Sequence, residues 1–453
     1  MAETTSSSSS RSSITNIADD HIFSILQLLP IDSILSFGMT CKRLNAIASS
    51  DTLWEIICRR DLGNSSVEGF LASTDKKFSW KRVYQQVFNL GSVSCFRLSS
   101  QDGIFPRPRA SHSLNLISEC LVLFGGGYED GRHLDDTWVA CIGNEVRRVL
   151  RWQQTNLGIP SGRFGQSCIV IGDDLVLFGG INDNGIRHND TWIGHVLQDE
   201  ALEIKLSWRL LDVGPFVPPP RGAHAGCCVG DKRMVIHGGI GLGGIRLNDT
   251  WLLELSDSAR SASWQEIRIH PSPPARSGHT LTWIGGTYMI LFGGRGSGYE
   301  VLNDIWLLDV GTEGPEWVEL KCDLLKAPDG IPLPRVGHSA TLIIGGRVLI
   351  YGGEDSYRHR KDDFWVLNPS AVPTFKMRSQ MQNLKRSSGK MWTRLKVEGQ
   401  MPDCRSFHRA CADRFGHHVY IFGGMVDGVL QPAELSGLRF DGELYLVKLV
   451  LRV

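Results

Sequence analysis

The sequence predicts a short all-α segment leading into an all-β repeat array, and three observations carry that reading. The word Leu291-Phe292-Gly293-Gly294, followed by Asn303-Asp304-Ile305-Trp306, recurs as Leu123-Phe124-Gly125-Gly126 with Asp136 and Trp138, and as Leu177-Phe178-Gly179-Gly180 with Asp190 and Trp192. It returns as Ile236-His237-Gly238-Gly239 with Asp249 and Trp251, and as Ile350-Tyr351-Gly352-Gly353 with Asp363 and Trp365. A looser copy is Ile421-Phe422-Gly423-Gly424, where Glu443 and Tyr445 stand for the acid and the aromatic. The second Gly and the Trp are 12 residues apart in all five close copies. Second, Arg109, Arg163, Arg221, Arg276, Arg335 and Arg405 precede each first Gly by 16 to 18 residues, and three residues after them come His112, Gln166, His224, His279, His338 and His408. Third, several short apolar runs fall within each unit. A period of roughly fifty residues with that content marks a radial or stacked repeat rather than one sandwich.

From Val93 to the end these units resemble kelch repeats. The resemblance implies a six-bladed β-propeller, each blade a four-stranded antiparallel sheet. Continuously apolar runs such as Leu121–Phe124 and Val348–Tyr351 are expected to be inner strands covered on both faces. Glycine pairs end them where the backbone needs positive φ or close approach. Each Trp is expected to fill space between blades, and the Arg and His to be structural hydrogen-bond partners between blades. Trp152, Trp208, Trp264, Trp317 and Trp392 lie 11 to 18 residues before the next Arg, and Phe96 lies 13 before Arg109. Val93–Leu98 is therefore predicted to be the fourth strand of a blade whose other strands come from 405–453, closing the ring and removing an open edge.

Residues 1–15 are Ser-rich and expected to be disordered. Over 16–60 the apolar spacing predicts helices. Ile22, Phe23, Leu26 and Leu29 share one face, with Asp19 as cap and Pro30 as stop. A second helix carries Ile34, Leu35 and Phe37 behind Asp32, a third spans Thr40–Ile47, and a fourth begins at Asp51. The segment is similar to an F-box in Ile17, Ile22, Leu26, Leu29-Pro30, Ile34-Leu35, Phe37, Cys41-Lys42-Arg43-Leu44 and Leu53-Trp54, although the usual opening Leu-Pro is Ile17-Ala18 here. So short a unit cannot bury that many apolar residues by itself, so a partner is expected to cover some of them. Residues 61–92 read as a helical linker, with Trp80, Val83, Tyr84, Val87 and Phe88 on one face fixing the F-box against the propeller.

With 42% apolar and 21% charged residues, the 453-residue chain is long enough for at least two globular domains. A formal net charge of zero implies no polyanion-binding surface, so no nucleic acid is expected as a partner. The eleven cysteines form no CxxC pair, which suits a reducing compartment. No membrane span, secretory signal, cofactor or metal site is expected.

Departures from the repeat are where function is expected. The loops between the Gly-Gly strand and the Trp strand differ in each blade, and all should emerge on one face around the channel. They carry Arg132, Arg187, Arg246, Arg295, Tyr357, Arg358, His359 and Arg360, candidates for gripping an acidic or phosphorylated segment, with 355–361 the densest. A basic insertion at 369–391 is expected to be a disordered loop. There is no P-loop, GxSxG or HExxH, and no enzyme activity is expected. His417-His418 and His188 are too few to suggest the copper site of kelch-like sugar oxidases.

The two resemblances together imply a substrate-recognition subunit of a Skp–cullin–F-box ubiquitin ligase. The F-box would dock a Skp-family adaptor, and through it a cullin–RING ligase, by way of Ile17, Ile22, Leu26, Leu29, Pro30, Ile34, Leu35, Leu44, Leu53 and Trp54. The propeller would hold an unknown protein substrate, in the nucleus or cytoplasm or both. A kelch scaffold without ubiquitination is the alternative reading, and a metal-dependent kelch enzyme a third.

Overall fold

The computed structural model describes residues 17–73, 78–142, 149–156, 158–198, 204–312, 314–321, 330–371, 390–427 and 438–452. The Ser-rich tail and 372–389 of the insertion lie outside them. Six helices come first: α1 (Asp19–Leu26), α2 (Ile31–Gly38), α3 (Lys42–Ala48), α4 (Asp51–Leu62), α5 (Asn64–Ser73) and α6 (Trp80–Phe88). The cap assignments differ from expectation. Asp19 and Asp32 sit inside the first turns of α1 and α2, whose N-caps are Ala18 and Pro30. Asp19 is engaged instead by Arg43, and the side-chain cap in this segment is Ser50, which accepts from the Leu53 amide.

Among the described residues thirty strands follow in small, mainly antiparallel sheets. Blade one shows the pattern: Ser113–Ile117, Cys120–Phe124, Thr137–Cys141 and Trp152–Asn156, hydrogen-bonded in that order. The strand ending in Gly-Gly is second from the axis, not innermost. It is buried on both faces because neighbouring blades cover it and strands flank both edges. The innermost strands touch the channel and so carry polar residues, for example Ser113, Asn115, Thr280 and Ser339. In the sixth blade, Ser92–Ser100 pairs antiparallel with Leu444–Leu449, Val93 opposite Leu449 and Leu98 opposite Leu444. His418–Phe422 and Arg409–Ala412 continue that sheet to the channel, and Lys396–Gly399 pairs in parallel on the outer side of Ser92–Ser100.

At one end of the channel the residue two after each repeat Arg takes a left-handed φ: Ser111, Gly165, Ala223, Gly278, Gly337 and Phe407. Their backbones form a cycle. Gly165 donates to Ser111, Ala223 to Gly165, Gly278 to Ala223, Gly337 to Gly278, Phe407 to Gly337, and Ser111 to Phe407, at 2.6–2.9 Å. The Gly-Gly loops surround this end, here called the rim face; the tight hairpins joining first and second strands lie at the other end, the underside.

The helices dock on the underside of blades five and six. Arg347 donates to the carbonyls of Val87 and Phe88, Ser66 Oγ donates to the Phe415 carbonyl, and Phe70 packs on His417 with ring centroids 4.4 Å apart. One apolar cluster runs without a break from Ile22 and Trp54 through Val83 and Val87 to Ile343, Ile344 and Val447. The expected stripe on α6 faces this joint: Trp80, Val83, Tyr84 and Val87 are buried, and Phe88 is partly so.

Candidate functional site

The repeat residues build each blade's frame rather than a site. Arg109 makes a bidentate pair with Asp136, and also donates from Nη1 to the Gly125 carbonyl and from Nε to the Arg107 carbonyl. Arg163–Asp190, Arg221–Asp249, Arg276–Asp304 and Arg335–Asp363 repeat the arrangement. These arginine side chains work within their own blade, a correction to the expectation that they bridge blades; satisfying a buried guanidinium takes a carboxylate at fixed distance on the same sheet. Their backbone carbonyls do cross: those of Arg163 and Arg221 accept from Gly126 and Gly180 of the preceding blade. The second glycine is needed there, since a Cβ on Gly126 would lie 2.9 Å from the Ala110 carbonyl oxygen. Each Asp is shared with its Trp, as in Trp138 Nε1 to Asp136 at 2.8 Å. Blade six divides the two roles. Asp441 pairs with Arg405, while Glu443 accepts from Tyr445.

The histidines do join blades. His224 is hydrogen-bonded to Ser167, His338 to Thr280 and His408 to Ser339. Burial is the main cause of their depressed pKa values, about 3 for His224 and His338 and well below the usual range for His408. Such rings are neutral, which suits packing and not proton transfer. His417 packs tilted against Phe70, His418 holds Asp413, and His188 sits in another blade's loop. Among the described residues no group of three or more His, Cys, Asp or Glu is arranged to hold a metal ion.

On the rim face the candidate arginines separate. Arg295 and Arg360 both reach the buried Glu354, 3.6 Å away in each case, while Ser406 Oγ donates to that carboxylate and Arg360 also meets Asp427. This network ties blades four, five and six. Arg246 lies 4.5 Å over the Tyr299 ring and donates to Ser277, Arg187 donates to Gly185, and Arg132 pairs with Asp130. The 355–361 loop presents the most accessible group. Asp355 accepts from the amides of Tyr357 and His359, fixing a turn that leaves Tyr357, Arg358 and His359 outward.

Sequence reasoning missed the apolar component of this face. Besides Tyr357, which the sequence already singles out, Ile104, Ile159, Ile186, Phe216, Leu242, Ile245, Tyr299, Leu333 and Met401 are exposed, and all lie in connections between strands at the rim end. A second exposed set lies on α1–α2: Ile25 (48%), Leu28 (72%), Leu35 (40%) and Met39 (86%). Among the residues expected to face an adaptor, Ile22, Leu26, Ile34, Leu44, Leu53 and Trp54 are buried, the indole of Trp54 donating to the Ala48 carbonyl. Ile17, Leu29 and Pro30 are half-buried and Leu35 is exposed.

A six-bladed propeller with a helical unit on its underside is the architecture of a kelch protein carrying an F-box. The comparisons agree. A family profile of F-box-like domains matches residues 19–60. One described as the KLHDC2/KLHL20/DRC7 Kelch-repeats domain matches 201–371 and 316–436. The chain is 54% identical to the F-box/kelch-repeat protein At1g51550 of Arabidopsis thaliana, over 98% of this chain and 94% of that one. It therefore belongs to the F-box/kelch-repeat family, whose domain pair is that of a substrate-recognition adaptor. It is also 30% identical to Adagio protein 3 of the same plant, over 88% of this chain but 60% of that protein. The solved structure of YjhT shares the fold at 13% identity, with a TM-score of 0.51 over 75% of this chain and 95% of YjhT.

Proposed function

We propose that this chain is the substrate-recognition subunit of a Skp–cullin–F-box ubiquitin ligase. Its contribution is proximity: it holds a protein near the charged ubiquitin-conjugating enzyme and does no bond chemistry itself. The observation carrying this reading is the gathering of most exposed large apolar side chains at two opposite ends, one on α1–α2 and one on the rim loops, with Leu71, Val149, Leu197 and Leu210 outside both. Each large side chain left in water forgoes about 1.5–3 kcal/mol of burial, so a partner at each end accounts for both sets. The helical end fits a Skp-family adaptor through Ile25, Leu28, Leu29, Pro30, Leu35 and Met39, while Ile22, Leu26, Ile34, Leu44, Leu53 and Trp54 shape that surface from within. The rim fits the substrate, with Tyr357, Arg358 and His359 foremost. A ligase of this type would act in the nucleus, the cytoplasm or both.

The test is reconstitution. Purified full-length chain and a Skp-family adaptor should co-elute, and affinity capture with the adaptor surface disabled should accumulate substrate. Stable partners at the rim without any adaptor binding would establish a kelch scaffold instead.

A further inference from the structure

The channel below the hydrogen-bonded cycle holds about 210 Å³, and polar side chains are part of its lining, among them Ser113, Ser167, Thr280 and Ser339. Blade six breaks the repeat there twice. At the position after the histidine, blades one to five carry Ser113, Ser167, Ala225, Thr280 and Ser339, all small; blade six carries Arg409. At the position before it, blades two, four and five use glycine, whereas blade six holds Phe407 at φ 56°, a conformation that costs a bulky side chain strain. The Phe407 ring lies against Gly337 and reaches Gly278, across the rim-side mouth.

Arg409 has a hydrogen bond from Nε to the His112 carbonyl at 2.8 Å. Among the described residues lining the channel there is no Asp or Glu. Burial pulls the Arg409 pKa down only to about 10, so the group remains a cation. Arg409 is part-buried, and it differs from the fully buried repeat arginines, each of which meets an aspartate. His279 also lines the channel, and both its ring nitrogens are buried without a partner, because the hydroxyl its equivalents use is replaced by Ala225. A part-buried guanidinium facing the channel, with no counter-charge among the described residues that line it, favours an anion there, and the surrounding groups can supply additional donors.

We infer that the central channel is a binding site for a compact inorganic anion, a halide or a phosphate-sized oxyanion, held by the free edge of the Arg409 guanidinium and shut off from the rim by Phe407. The space accommodates one such ion with a few waters. A bound anion would complete the neutralisation of blade six, as the aspartates do for the repeat arginines.

Crystals of the full chain soaked in bromide should show an anomalous peak beside the Arg409 guanidinium; water alone at that position overturns the inference. In solution at fixed ionic strength, replacing gluconate by inorganic phosphate should raise the wild-type melting temperature by about 2–4 °C. Arg409→Ser, which installs the residue of blades one, two and five, should abolish that increment, and Arg409→Lys should keep part of it. Equal increments in wild type and Arg409→Ser overturn the assignment. Should Arg409→Ser fail to fold, the bromide peak in the wild-type crystal still decides.

Discussion

Arg347 of the fifth blade closes the end of α6, donating from Nη1 to the Val87 carbonyl at 2.7 Å and from Nη2 to the Phe88 carbonyl at 2.9 Å while its guanidinium lies 4.8 Å over the Phe88 ring. A cation at a helix C-terminus meets carbonyls that the helix cannot satisfy. Its burial lowers its pKa to about 10, which still leaves it charged. Arg347→Ala should cost about 1.5–3 kcal/mol, the range for a hydrogen bond to a charged group. Exchange protection of the α6 amides should fall before that of the blades, by mass spectrometry. Unchanged protection at α6 would show that apolar contact alone holds the joint.

The buried and exposed apolar residues of the helical unit should separate in mutation. Leu28→Asp is expected to leave the melting curve unchanged and abolish capture of a Skp-family adaptor. Trp54→Ala should cost about 3–5 kcal/mol through the cavity it leaves, and lose the adaptor only by unfolding the helices. A stably folded Trp54→Ala variant that fails to bind would reverse these roles.

Acid should weaken the propeller, and the sign follows from burial. His224, His237 and His338 have folded pKa values of about 3 against an ordinary value of 6.5. Their contribution is complete above pH 6.5 and is lost as pH falls from there toward 3, because the unfolded chain binds protons first. The carboxylates of Asp136, Asp190, Asp249, Asp304 and Asp363 are held below 3.8, chiefly by their arginines against the cost of burial, and their contribution disappears at still lower pH. Blade two already has Gln166 at the histidine position, donating to the Phe124 carbonyl. His224→Gln should therefore fold, and should flatten the stability slope between pH 4 and 6 by about 1.4 kcal/mol per unit, in urea titrations at stepped pH.

Removing residues 93–100 should leave Leu444–Leu449 with an unpaired edge on the outer side of the sixth blade, two strands away from the channel. Aggregation is the expected outcome, by light scattering after refolding, since an open apolar edge invites pairing between chains. A monomeric deletion variant with an unaltered melting curve would show the strand to be dispensable.

Legible in the sequence is whatever local spacing and backbone geometry dictate. The glycine pairs, the Arg–Asp–Trp periodicity and the placement of Phe96 opposite the last repeat follow from distances along the chain. The stripe on α6 was equally plain, because helical periodicity marks a face. Periodicity does not say what covers that face, so Leu26 and Trp54 read as partner contacts although α3, α4 and α6 already enclose them.

The sequence by itself determined the number of blades, the frame of each blade and the existence of an irregular rim, because those features repeat and each copy constrains the others. Only the tertiary structure decided which charges are free. Arg295 and Arg360 are neutralised by Glu354, brought from 59 residues and 6 residues away in the chain, whereas Arg409 meets no carboxylate among the described residues. Long-range pairing depends on how neighbouring blades stack, and stacking leaves no periodic trace in the chain for a reader to find.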